Sequence, residues 1–133
     1  MTHRFECRVY YEDTDLAGIV YYANYLKYIE RARTEMVRGL GVDQVMLRRR
    51  LGLVFAVRKI TADYLHTASF DDLLSVETEI TALSGARVTL SQRVFRAETL
   101  VFSSRVLLVC LKESGKPAPI PADIRQKLKE ILR

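Results

Sequence analysis

The apolar positions change period along the chain, and the changes outline its elements. From about Ala23 onward, Tyr25, Ile29, Ala32, Met36 and Leu40 follow spacings of four, three, four and four, which lays them on one helical face. The pattern stops near Gly39 and Gly41, so a long amphipathic helix is predicted to end there. Residues 43–50 read as a short second helix. Asp43 is its N-cap, Gly52 its stop, and three arginines in its last turn suit the helix dipole.

Strands are predicted around these helices. Residues 5–11 alternate imperfectly, as an edge or partly exposed strand does. Residues 53–65 are strand-like, but Arg58-Lys59 interrupts them, which predicts a bulge or a solvent-facing edge. Leu74, Val76, Thr78 and Ile80 then alternate with Ser75, Glu77 and Glu79, the period of a sheet with one wet face. After a turn at residues 83–86, residues 87–95 continue with Val88, Leu90 and Val94 on one face. Residues 100–111 are the most apolar run. From Val106 both faces are greasy apart from Cys110, so this strand is predicted to be central or covered by a partner. Three prolines, Pro117, Pro119 and Pro121, break structure before a C-terminal helix at about residues 122–132.

This order predicts an α+β fold, one antiparallel sheet wrapped around one long helix. No repeat, linker or low-complexity segment divides the chain, so residues 1–133 are read as a single domain. One curved sheet covers only part of such a helix, and the uncovered surface predicts a two-fold homodimer.

The chemistry is placed between the first strand and the long helix. Glu12-Asp13-Thr14-Asp15 ends an apolar run, and Gly18 tolerates unusual backbone angles. A helix that begins just after a carboxylate-bearing loop points its free N–H groups and the positive end of its dipole toward that loop. Such a place can polarise a carbonyl and hold a developing oxyanion, with Asp15 as nucleophile or as general base toward water. Those are the parts needed for acyl transfer. Taken alone, Asp13, Thr14 and Asp15 also read as turn and capping residues.

The phrase EDTDLAGIVYYANYLKYIERAR, together with TASFDDLLSVETEI, resembles the hotdog-fold acyl-CoA thioesterases of the 4-hydroxybenzoyl-CoA thioesterase type. Within them it is most similar to the bacterial, Tol-Pal-associated (YbgC-like) branch. The resemblance covers nearly the whole chain, and its D-x-D-x-x-G-x-V-x-x-x-x-Y pattern is specific. It implies a hotdog fold, hydrolysis of acyl-CoA or acyl carrier protein thioesters, no cofactor, and dimers that commonly pair into tetramers with the active site at the subunit interface. It also implies that Asp15 is the catalytic carboxylate and that the backbone N–H of Tyr22 polarises the thioester carbonyl. Many members of the Tol-Pal branch carry His where this chain has Tyr22. That leaves a backbone role intact and bears on acyl preference.

Further residues are candidates by position. Tyr25, on the first turn of the long helix, is taken as a substrate contact, and Arg58, Lys59 and Arg87 as contacts for the phosphates of the pantetheine carrier. Glu30 is the second candidate for the catalytic carboxylate, because some other hotdog thioesterases use a glutamate on the central helix. It also stands three residues before Arg33, a charge inside the apolar stripe that needs a partner, so an ion pair is the expected role.

Composition narrows the remaining classes. The chain is 49% hydrophobic and 28% charged, and has no run of about 18 apolar residues, so no membrane span is expected. Nor does its beginning carry an apolar signal core, from which a cytoplasmic protein is inferred. Cys7 and Cys110 lack paired spacing and read as reduced packing residues, and neither His3 nor His66 stands at metal spacing from another ligand, so no metal is expected. The net charge of +5 is scattered apart from Arg48-Arg49-Arg50, which argues against nucleic-acid binding and suits a polyanionic substrate. A non-enzymatic acyl-thioester binder would keep the pocket without needing Asp15. A hydratase on the same fold would need a histidine in the helix-start motif, where there is none.

Overall fold

In the computed structural model, which describes residues 1–133, strand and helix follow the periods of the sequence. The elements are β1 (His3–Arg8), a 3-10 turn (Tyr11–Asp13), α1 (Asn24–Gly39), α2 (Gln44–Leu51), β2 (Val54–Tyr64), β3 (Leu73–Ser84), β4 (Arg87–Arg96), β5 (Thr99–Leu111) and α3 (Ala122–Glu130). The five strands form one antiparallel sheet in the order β1-β3-β4-β5-β2. β1 is an edge and β5 is interior, as predicted. The second helix begins at Asp43, whose carboxylate accepts from the amides of Val45 and Met46, and stops at Gly52, at φ 64°.

β1 is shorter than predicted. Beyond Arg8 the amide of Val9 still reaches its register partner, the carbonyl of Asp72 (2.9 Å), but the Val9 carbonyl accepts from Asp71 (2.8 Å) and the amide of Tyr10 is taken by the Asp13 carboxylate (2.8 Å). With the Val9 carbonyl and the Tyr10 amide engaged off the ladder, the strand cannot continue. The interruption at Arg58-Lys59 is both of the predicted things at once. β2 is the other edge, and its register with β5 shifts between Val57 and Lys59.

The concave face of the sheet buries Leu74, Val76 and Ile80 of β3, Leu90 and Val94 of β4, and Phe102 and Val106 of β5. Against it α1 lays Tyr25, Tyr28, Ile29, Ala32 and Met36, the stripe that the 3.6-residue period selects with Tyr28 added, while Leu40, the last predicted member, caps the helix end and is only half-buried. Gln92 lies fully buried on the same inward face of β4 as Leu90 and Val94. Its side-chain nitrogen donates to the carbonyl of Ile29 in α1 (2.8 Å) and to the hydroxyl of Thr78 (2.9 Å). Its side-chain oxygen accepts from the guanidinium of Arg33 (2.8 Å).

That last bond corrects the expected Glu30–Arg33 pair. Arg33 turns inward to a neutral amide, whereas Glu30 stays exposed and accepts only a long bond from Thr34 (3.4 Å). An amide oxygen solvates the half-buried cation without a second charge being taken out of water. Burial pulls the guanidinium's pKa down, and Glu30 partly offsets this.

Replacing Gln92 by Leu removes all three bonds and leaves Arg33 and Thr78 without their buried partner. The expected loss is about 2–4 kcal/mol in urea unfolding, and a loss under about 1 kcal/mol would show the network to be dispensable. A second expectation concerns Cys7 on β1, whose thiol burial pushes up to about 11. Below that pH the neutral thiol prevails in the folded state, so at pH 8 the native protein should react with a thiol reagent at least about tenfold more slowly than the urea-unfolded chain.

Candidate active site

The residues between β1 and α1 form a small hairpin of their own. The Thr14–Val20 bridge is its middle, flanked by bonds from the amide of Asp15 to the carbonyl of Ile19 (2.9 Å) and from that of Tyr21 to the carbonyl of Asp13 (2.9 Å). At the tip the amide of Gly18 returns to the carbonyl of Asp15, and the Asp15 carboxylate accepts from the amide of Ala17, both at 2.9 Å. Gly18 holds φ 80°, a region that side-chain-bearing residues seldom occupy, so the sharp reversal requires glycine. Asp15 and Leu16 therefore stand exposed at the tip.

The loop at residues 65–72 backs this hairpin, and it contains much of the second phrase that carried the resemblance. The carbonyl of Ala68 accepts from Val20 (2.8 Å), Ser69 bridges to Ile19, and Phe70 meets Tyr11 edge-on with ring centroids 6.4 Å apart. Arg8 and Arg96 reach over from the ends of β1 and β4 to the loop carbonyls of Asp71 (2.9 Å) and Thr67.

Asp13 joins the hairpin to the helix. Its carbonyl accepts from the Asn24 side chain (2.9 Å) as well as from Tyr21, so the first residue of α1 is bonded back to the acidic loop. Behind it Tyr28 is almost wholly buried, with its hydroxyl beside the Asp13 carboxylate. Burial and that negative neighbour push the phenol well above its ordinary range. At the start of α1 the amide of Asn24 bonds to the carbonyl of Tyr21 (2.8 Å), while the amide of Tyr22 engages no acceptor in the chain. It is one of the free N–H groups at the positive end of the helix dipole.

The predicted site residues divide into three groups. Asp15 and Tyr22 lie at the tip and the base of the same hairpin and helix start, both exposed. Tyr25 is 3% exposed, its ring stacked on Phe102 with centroids 5.0 Å apart, so it floors the site from inside the core. Arg58, Lys59 and Arg87 do not gather around Asp15 within the chain. Arg58 sits in the β2 bulge, and Lys59 borders a shallow surface depression with Arg105 and Thr89. Arg87 pairs with Val109, seven residues along β5 from the Phe102–Tyr64 pair, hence roughly 23 Å away.

Tyr64, at the end of β2, was not singled out by the sequence. Its hydroxyl donates to the carbonyl of Tyr22 (3.0 Å), and its ring meets those of Tyr22, Tyr25 and Phe102. Only its position as the last aromatic of a strand hinted at it. Along the groove from Tyr64, the inward side chains of β2 are Ala62, Ile60, Val57 and Phe55, of which Val57 and Ile60 remain exposed beside α1. The groove ends in a cavity of about 170 Å³ lined by Val37, Phe55, Val57, Leu108 and Leu128, with Arg33 among them.

Comparison with known proteins agrees with this frame. The model of the thioesterase-like superfamily matches residues 9–128. The acyl-CoA thioester hydrolase YbgC of Escherichia coli O6:H1 is 42% identical over 129 residues, 96% of each chain. The acyl-CoA thioesterase YbgC of Haemophilus influenzae is 44% identical over 116 residues, 87% of this chain and 85% of that one. Among solved structures, a probable thioesterase from Bartonella henselae superimposes with a TM-score of 0.87 at 35% identity, covering 91% of this chain and all of that one. With its sheet and central helix in the hotdog arrangement and the acidic hairpin inside the matched span, the chain belongs to the thioesterase-like superfamily, among the YbgC acyl-CoA thioesterases.

Proposed function

We propose that Asp15 and the Tyr22 amide carry out the reaction of this chain, hydrolysis of acyl-CoA thioesters to free acid and thiol. The observation that carries the assignment is the free N–H of Tyr22 at the start of α1, held by hydrogen bonds to the hairpin that presents Asp15. The thioester oxygen lies at the Tyr22 amide, which stabilises the oxyanion formed when the carbonyl carbon is attacked. Asp15 either takes a proton from the attacking water or attacks first, forming an anhydride that water then opens. In both courses the C–S bond breaks with the electron pair leaving on sulfur, and the carboxylate is regenerated. Neither course asks for a cofactor.

The acyl chain runs along the groove between α1 and β2. Arg33, beside the cavity, stands eleven residues beyond Tyr22, or roughly 16 Å along the helix, so an aliphatic chain of about 12 carbons is the shortest to reach it. The phosphates of the carrier, CoA or acyl carrier protein, are drawn to a chain of net charge +5. Arg58 and Lys59 on the edge strand remain the proposed contacts, and Arg87 is set aside for its distance.

β2 also supports a two-fold dimer. It is an eleven-residue edge whose Val54, Val57, Ile60 and Tyr64 are exposed, so pairing with a second copy would satisfy the open ladder and cover the groove. Two such dimers would make a tetramer. No helix is long and apolar enough to cross a membrane, and the proposed location is the cytoplasm, where acyl-CoA is made and used.

Thiol release from short aliphatic, long aliphatic and aromatic acyl-CoAs tests the reaction. Asp15→Asn should lower turnover at least about a hundredfold with little change in melting temperature. Activity retained in that variant would move the chemistry to another carboxylate, Glu30 first. Light scattering on a sizing column should give at least twice the 15.3 kDa chain mass, and a particle of the chain mass would remove the β2 dimer.

A further inference from the structure

We propose that Tyr64 is a positioning residue for this site: from the edge strand its hydroxyl fixes the peptide plane beside Tyr22, so that the Tyr22 and Ala23 N–H groups form a two-donor cradle for the thioester oxygen. The role rests on the reading above, that the start of α1 receives the thioester.

Two peptide planes meet at that point. In the first, the carbonyl of Tyr21 accepts from the amide of Asn24 (2.8 Å) and the N–H belongs to Tyr22. In the second, the carbonyl of Tyr22 accepts from the Tyr64 hydroxyl (3.0 Å) and the N–H belongs to Ala23. In each plane the oxygen is engaged by the chain and the N–H, on the opposite side, is not. A peptide whose oxygen accepts a hydrogen bond cannot rotate freely while the bond lasts, and its N–H becomes a stronger donor.

Helix geometry explains why a side chain is needed. Ala23 is the N-cap of α1, and the carbonyl of an N-cap is the first to accept a bond of the helix, so the Tyr22 carbonyl stands one residue outside that ladder. The amide of Leu26 goes to the carbonyl of Ala23 (3.2 Å), a 3-10-type bond, and the Tyr22 oxygen is left for another donor. Tyr64 supplies it from 42 residues away in the chain.

The hydroxyl is held by the ring that bears it. The Tyr64 ring lies 6.0 Å from that of Tyr22, 5.7 Å from Tyr25 and 5.1 Å from Phe102, each edge to face. Burial, and Tyr22 next to it, push the Tyr64 phenol above its ordinary range, so the proton it donates is kept throughout the neutral region. Packing alone would be served equally by phenylalanine. The hydroxyl adds one directional bond, and that bond ends on the backbone of the site.

Tyr64→Phe keeps the ring contacts and removes that bond. The expected result is a kcat lowered roughly tenfold, with KM and melting temperature nearly unchanged. A second variant carries a trifluorotyrosine at position 64, whose phenol ionises near neutrality. Its kcat should fall along an alkaline limb at that ionisation, absent from the native enzyme and from Tyr64→Phe, a signature that a packing role does not produce. An active native enzyme whose Tyr64→Phe variant keeps kcat within about twofold, or whose fluorinated variant shows no such limb, overturns this role and leaves the thioesterase reading intact. A native protein that turns over no thioester overturns both.

Discussion

The hydrophobic effect decides that a helix lies on a sheet, but it has no direction and does not fix the height at which the helix stops. In this fold that height depends on Gln92. Its amide holds the Ile29 carbonyl from a strand in the middle of the sheet and braces itself on Thr78 and Arg33. Sliding α1 by one residue would break all of this inside an apolar layer, where an unmet polar group is expensive. Tyr22 lies seven residues before Ile29, roughly 10 Å along the helix axis, so the position of its amide follows from that clamp.

The hairpin solves the opposite problem. The carboxylate must meet water and a large substrate, so it is carried on an exposed tip, yet the tip has to keep its place. Backbone bonds do this from three sides, through the carbonyls of Asp13, Ile19 and Ala68, while the side chain of Asn24 ties it to the helix. Rigidity is thus supplied by main-chain groups, and the side chains of Asp15 and Tyr22 are left facing solvent.

Much of this was legible in the sequence. The 3.6-residue period gave α1 and its buried stripe, Asp43 and Gly52 gave the limits of α2, and the Arg58-Lys59 break marked an edge. Where the reading fell short, the cause was tertiary. Period tells which face of a helix is inward but not how deep a residue sits, and so Tyr25, taken as a substrate contact, lies beneath the site in an aromatic stack. Arg33 was matched with its neighbour in sequence, while its acceptor stands 59 positions away on β4. Arg87 looked suitable because it follows a turn, but a turn does not reveal at which end of the sheet it falls. Gln92 and Tyr64 had no local signal: each matters through one bond to the backbone of α1.

The bulge at Arg58 sets the phase of everything after it. Side chains alternate along a strand, so one unpaired residue exchanges the two faces for the remainder of its length. Before the bulge Phe55 and Val57 point inward opposite Cys110 and Leu108; after it Ile60, Ala62 and Tyr64 do so, opposite Val106, Ser104 and Phe102. Were Arg58 instead paired as an ordinary ladder residue, Lys59, Thr61 and Asp63 would line the groove and Tyr64 would face away from α1. Deleting the Arg58 codon would therefore straighten β2 and still leave Tyr64 turned toward α1, so the strand can lose its kink without losing the chemistry at its end.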